Sequence, residues 1–356
     1  MNILDFLYEK DFKKSFFLDR KVSVKSKKVF LTGSRKSGKS SIILDHLSRY
    51  PKGKALYIDF EDERVDKREV SLYLKNFIKE KKIRIIALDN FDFSFPIPDC
   101  DEIVISGVKE KSLPGFEKLT LYPLDFEEFL AFYKKYSTLE NAFNLYAKIG
   151  TYPQAVLNPK ENLVRVLQEI VKLSMEEELK YKVFKEFILL QGAKKSLFQI
   201  FNKMKEREKI SKDRFYHICE ELKEEKFLFL VEKFNQKRAA KKIFLIDFVL
   251  KNAFTFHKDF IKLFENMIFL ELLKRKKEVF YLEGSDFYVP KEKRAVLPMP
   301  FLPLETVKLK TKLFLEKTKS EKIEKIEIVT LGDENIFREN QIECEVLSFW
   351  DWALRM

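Results

Sequence analysis

The chain has 356 residues, is 46% hydrophobic and 35% charged, and carries a net charge of +12. This composition excludes a disordered chain and leaves material for two or three domains, and no apolar run reaches the roughly 20 residues of a membrane span. The three cysteines (Cys100, Cys219, Cys344) and three histidines (His46, His217, His257) are too scattered for a disulfide framework or a zinc set.

Met1–Asp5 has no basic signal-peptide region, so a reducing cytoplasm is the expected location. The positive balance permits a nucleic-acid partner. Acidic residues are interspersed with the basic ones, however, which points first to a Lys-rich proteome.

In chain order, a short helix is expected over Ile3–Phe12 and a buried strand over Lys28–Thr32. The strand runs into Gly33-Ser34-Arg35-Lys36-Ser37-Gly38-Lys39-Ser40, a Gly-x-x-x-x-Gly-Lys-Ser loop, and then into a helix ending near Tyr50. That is the pattern of a phosphate-binding loop. Glycines without a Cβ let the backbone turn and approach a ligand, and the enclosed amides with the helix N-terminus favour an anion. Lys39 supplies a charge for the β- and γ-phosphates, and the Ser40 hydroxyl is a ligand for Mg²⁺. ATP and Mg²⁺ are therefore the expected cofactors.

Further strands are expected over Ala55–Phe60, Ile83–Asn90, Glu102–Gly107 and Leu119–Leu124, with a helix over Val65–Lys79. Alternating strands and helices imply an α/β fold with a mostly parallel sheet. Asp89, at the carboxyl end of the third strand, is the expected partner of Mg²⁺. The next position is Asn90, where hydrolytic P-loop enzymes of this type usually carry Glu. An amide orients water but is a very poor proton acceptor. Asp92, on the same face if the strand continues, is the substitute base, and slow or partner-dependent hydrolysis is the other reading. Ser106 ends the fourth strand, as a contact for the γ-phosphate or attacking water or as an ordinary loop serine.

Leu119–Leu130, with Leu121-Tyr122-Pro123-Leu124-Asp125-Phe126 at its centre, resembles a signature of prokaryotic AAA-type ATPases. Gly33-Ser34-Arg35, Ile149-Gly150-Thr151-Tyr152-Pro153, Lys242–Asp247 and Phe264–Leu272 are similar to further landmarks of that family, with Thr151 and Phe244 departing from it. The resemblance implies an AAA-type P-loop NTPase core over 1–138, a helical lid over 139–182, a winged helix over 183–256 and a nuclease-like α/β domain over 257–356. Asp125 is itself a good N-cap for a helix starting at Phe126, with Glu127 and Glu128 favouring that helix end. Lid helices are expected over Asn141–Ala147 and Glu161–Leu173.

In the expected winged helix, Ser211 caps a helix beginning at Lys212, and strands follow over Phe227–Glu232 and Lys242–Asp247. The span Lys212–Lys226 holds more acidic than basic residues, which argues against a place in a DNA major groove. The wing Lys233–Lys242, with Lys233, Lys237, Arg238, Lys241 and Lys242, is either a DNA phosphate contact or a solvated hairpin tip.

The nuclease-like fold needs an acid followed by Glu-x-Lys on the next strand. Asp286 matches the acid. The next strand candidate, Arg294–Phe301, has neither Glu nor a strand lysine, and Glu305 with Lys308 would face opposite ways on a strand. No nuclease activity is expected, and Glu265 and Asp286 read as structural relics. Trp350 and Trp352, in a short terminal element, read as packing aromatics. The whole is expected to act as a nucleotide-driven switch or, alternatively, as a largely non-hydrolysing regulator or DNA-associated scaffold. A protein partner and an oligomeric state are not legible.

Overall fold

The computed structural model of this chain describes residues 3–12, 18–109, 111–133, 138–159, 162–332 and 334–355, without the side chains of Ser285 and Asp286. The chain forms two compact units, Met1–Pro123 and Leu124–Met356.

Unit 1 runs α1 (Ile3–Tyr8), β1 (Lys28–Thr32), α2 (Lys39–Leu47), β2 (Ala55–Asp59), α3 (Lys67–Lys81), β3 (Ile85–Asp89), β4 (Glu102–Gly107) and β5 (Glu117–Thr120). The five strands form one parallel sheet in the order β2-β3-β4-β1-β5. This is a mixed α/β unit consistent with a P-loop NTPase fold. Alternation along each strand feeds two cores. Phe30, Leu56, Ile58 and Leu88 pack with α1 and α3 on one face. Val29, Leu31, Tyr57 and Ala87 pack with Ile42 and Ile43 of α2 on the other.

Local chemistry sets the element ends. α3 starts at Lys67 rather than Val65 because the Asp66 carboxylate accepts from the Arg68 and Glu69 amides, at 2.7 and 3.1 Å. β5 lies two residues earlier than expected at its start. Its last rung pairs Thr120 with Thr32, and the following Leu121 amide closes onto the Thr32 carbonyl at 2.7 Å. Pro123 has no amide with which to prolong the ladder.

Unit 2 begins with α4 (Phe126–Phe132), α5 (Leu139–Ile149), α6 (Pro153–Leu157), α7 (Leu163–Ser174) and α8 (Glu178–Leu189). Asp125 caps α4 in a reciprocal capping box with Glu128. Next come β6 (Lys194–Lys195), α9 (Leu197–Lys205), α10 (Lys212–Glu224), β7 (Leu228–Val231), β8 (Lys241–Leu245) and α11 (Leu250–Phe254). Ser211 caps α10 as expected, and the three strands form an antiparallel sheet, β6-β8-β7.

The remainder is α12 (Phe260–Lys274), β9 (Phe280–Leu282), β10 (Ser285–Val289), β11 (Arg294–Pro298), α13 (Leu304–Lys317), β12 (Lys325–Thr330), β13 (Asn335–Glu339), β14 (Ile342–Ser348) and α14 (Phe349–Arg355). Its mixed sheet has the order β13-β14-β12-β11-β10-β9.

Two polar centres hold unit 2 together. Asp247, fully buried, accepts from the Thr151 amide at 2.6 Å, the Thr151 hydroxyl at 2.7 Å, the Tyr152 amide at 3.2 Å and the Val249 amide at 2.9 Å. Thr151 thus contributes a hydroxyl to this centre that a glycine would lack. Glu327 accepts from Arg294 at 2.8 Å and from the Trp352 indole at 2.8 Å, so Trp352 is a buried packing residue with its N–H satisfied. Glu305 and Lys308 are not on a strand. They sit on α13, where an i,i+3 spacing lets them pair at 3.2 Å. Among the described residues, no helix is long and apolar enough to cross a membrane.

Candidate functional site

β1 delivers the chain into the loop at Gly33. Gly33 has φ +145°, and a Cβ there would lie 2.1 Å from the Leu121 carbonyl oxygen. The backbone after β5 therefore requires this glycine, whatever the ligand. Gly38 stands at the N-cap of α2 with φ 101°, in the left-handed region that favours glycine. No side chain caps α2, which leaves its N-terminal amides without an internal acceptor.

The Lys39 ammonium is buried and donates to the Gly33 and Ser34 carbonyls at 2.9 and 2.8 Å. Burial lowers its pKa to about 8, against the pull of Asp89, so it remains mainly charged at neutral pH. The hydroxyls of Thr32, Ser34 and Ser37 are buried and have no hydrogen-bond partner among the described residues. Arg35 pairs with Glu61, and Lys36 is exposed at φ 63°. Sequence reasoning missed Arg20. Its guanidinium donates to the Ser37 carbonyl at 2.9 Å and to the Tyr122 carbonyl at 2.6 Å, tying the loop to the segment after β5.

Asp89 lies fully buried at the end of β3. It accepts from the Tyr57 phenol at 2.7 Å, from the Ser106 hydroxyl and from the Asn90 amide at 3.1 Å. Tyr57, on β2, is a second residue that the sequence did not single out. Burial raises its pKa, with the Asp89 charge adding to the effect, so the phenol stays protonated and donates. Of the two residues expected to serve Mg²⁺, Asp89 is thus held by Tyr57.

β3 stops at Asp89, so Asp92 does not share a strand face with Asn90. Asn90 takes φ 51°, a left-handed conformation in which Asn is enriched. Its backbone amide also reaches the Ser106 hydroxyl at 3.2 Å, and its side-chain amide donates to Asp59 at 2.9 Å. Asp92 pairs with Lys67 at 2.7 Å and accepts from the Ser94 amide at 3.0 Å. The Lys67 hydrogen bond first, then Ser94, pulls its pKa down to about 2, which makes it a weak proton acceptor.

This arrangement suits a polyanion and a divalent cation. Free helix amides, unpartnered buried hydroxyls and a sequestered ammonium surround one loop. Ser40 and Asp89 are the residues that would hold Mg²⁺, one by its hydroxyl and one through the carboxylate.

No family model matches the chain. A protein of Methanocaldococcus jannaschii, described as uncharacterized, is 26% identical over 406 aligned positions, covering 96% of this chain and 92% of that protein. Among solved structures, a Walker-type ATPase of Pyrococcus abyssi aligns with a TM-score of 0.42 at 14% identity, over 64% of this chain and 90% of that one.

The basic wing of unit 2 is less basic than its sequence. Lys233 pairs with Glu283 at 3.0 Å, Lys241 pairs with Glu232, and Lys242 is buried against Glu265 at 2.9 Å. Lys237 and Arg238 stay exposed at the tip. Glu265 also takes Lys262 at 3.0 Å, a structural use of that acid. The Asp286 side chain lies outside the described residues.

Proposed function

We propose that this chain is an AAA-type P-loop protein that binds ATP with Mg²⁺ and uses the nucleotide as a switch. The observation that carries the reading is the environment of Lys39: a buried ammonium held by loop carbonyls beside three buried hydroxyls with no partner among the described residues. A triphosphate tail supplies the acceptors that such a loop lacks. The strand order supports the AAA-type assignment, because β4 stands between the loop strand β1 and the Asp89 strand β3.

In this reading, the loop amides and Lys39 bind the β- and γ-phosphates. Mg²⁺, when bound, neutralises phosphate charge between Ser40 and Asp89. Asp89, Ser106 and Asn90 form a hydrogen-bonded strand-end group facing the same loop.

Hydrolysis in this reading is weak or partner-dependent. The Asn90 side chain is committed to Asp59, and Asp92 is held by Lys67 with a depressed pKa. Neither is a competent general base. The same facts favour a second reading, a nucleotide-binding regulator that hydrolyses little. Titration of a fluorescent ATP analogue against wild type and Lys39→Ala tests the binding claim, and equal affinities would refute it. Single-turnover hydrolysis separates the switch from the largely non-hydrolysing regulator. The roles assigned to the lid, the winged helix and the nuclease-like domain belong to this proposal and rest on the family resemblance.

A further inference from the structure

Tyr57 holds one oxygen of Asp89, the carboxylate expected to serve the metal. Its phenol donates to Asp89 Oδ2 at 2.7 Å, while Asp89 Oδ1 is already taken by Ser106 and the Asn90 amide. A cation engaging Asp89 would compete with the phenol for Oδ2.

The ring has somewhere to go. Tyr57 lines a cavity of about 470 Å³ beside α1, with Phe6, Leu7, Lys10, Asp59 and Val65 among its other walls. The Lys10 ammonium sits 4.7 Å from the ring centroid, a cation–π contact on the cavity side. One side chain therefore touches Asp89 at its hydroxyl and the α1 cavity at its ring.

We propose that Tyr57 is a positioning residue that holds the place of the Mg²⁺ shell in the ligand-free protein and must release Asp89 before the metal can engage. This rests on the nucleotide reading above. The phenol holds Asp89 in place through one hydrogen bond, and the cavity would receive the ring on its release. Removing the hydroxyl removes a competitor for Asp89 and leaves the Lys39 contacts to Gly33 and Ser34 in place.

The test uses the full chain and N-methylanthraniloyl-ATP as the probe. Its affinity is measured first in EDTA, and then Mg²⁺ is titrated at fixed nucleotide, for wild type and Tyr57→Phe. The expected result is equal metal-free affinity, with the half-saturating Mg²⁺ concentration lowered about tenfold in the variant. A second variant without the hydroxyl, Tyr57→Leu, should shift in the same direction, which separates loss of the competitor from any packing defect in one variant. Mn²⁺ in place of Mg²⁺, followed by electron paramagnetic resonance, reads the metal directly and independently of turnover. An unchanged or raised midpoint in both variants overturns the proposal, because the phenol would then be indifferent or a support for metal binding. If wild type fails to bind the probe with or without Mg²⁺, the nucleotide reading itself falls, and this one with it.

Discussion

The side-chain amide of Asn90 donates to the Asp59 carboxylate at 2.9 Å while its own backbone sits at φ 51°. Substituting the hydrolytic glutamate here meets two obstacles: a left-handed conformation that Glu adopts poorly, and a second carboxylate against Asp59. Asn90→Glu should lower unfolding stability by about 1–2 kcal/mol. Urea denaturation measures this, and single-turnover hydrolysis on the same samples shows whether the added carboxylate accelerates the reaction. A strong acceleration would mark the natural protein as mainly a binder.

Asp92 should be catalytically silent. A carboxylate held near pKa 2 by Lys67 and Ser94 has little tendency to take a proton at neutral pH. Asp92→Asn is expected to change single-turnover hydrolysis by less than about twofold. A loss of a hundredfold or more would restore it as the base.

Arg20 should matter to nucleotide affinity without touching the nucleotide. It joins the Ser37 carbonyl to the Tyr122 carbonyl, so its loss releases the loop from the segment after β5. Arg20→Ala should weaken binding of a fluorescent ATP analogue by about fivefold to tenfold. Arg20→Lys should not restore it, because one ammonium does not reproduce the planar fork.

In unit 2, Asp247 organises the turn at Gly150–Thr151. Asp247→Ala strands several buried donors and should cost about 3 kcal/mol. Gly150→Ala should also destabilise, since φ is +86° and the new Cβ would meet Val249 Cγ2 at 2.5 Å and Asp247 Oδ1 at 2.6 Å. Differential scanning calorimetry on both variants checks this. A negligible shift for Asp247→Ala would remove Asp247 from that role.

The cysteines should be silent until the chain unfolds. Burial pushes Cys219 up to about 12 and Cys344 up to about 11, and it raises Cys100 as well. Native protein should fail to react with Ellman's reagent at pH 8, and unfolding in urea should expose all three thiols. The sign for stability follows. Above about pH 9, unfolded thiols lose protons that native thiols keep, so stability declines as pH rises through that range.

The loop and its flanks were legible because their chemistry is local. Gly33 to Ser40 is one contiguous pattern, Asp89 ends an apolar run, and Asp125 with Glu128 forms a four-residue capping box. Tyr57 and Arg20 were not legible. Tyr57 meets Asp89 across 32 residues and Arg20 meets Tyr122 across 102, and no spacing rule spans such distances. Asp92 was misplaced for another reason. The strand pattern Ile83–Asn90 gave no hint that Asn90 would turn left-handed and end the ladder at Asp89. The wing's ion pairs were not legible either: Glu283 and Glu265, distant in sequence, and Glu232, beside the wing, pair with three of its lysines.

Thr32, Ser34 and Ser37 have a consequence for anyone who stabilises this chain. Each buries a hydroxyl with no protein acceptor among the described residues, and an unsatisfied buried hydroxyl costs about 1–3 kcal/mol. Alanine at these positions would harden the resting protein, and a screen for heat resistance would favour it. The same screen would erode the loop's appetite for oxyanions, so thermal tolerance and ligand capture pull this segment in opposite directions.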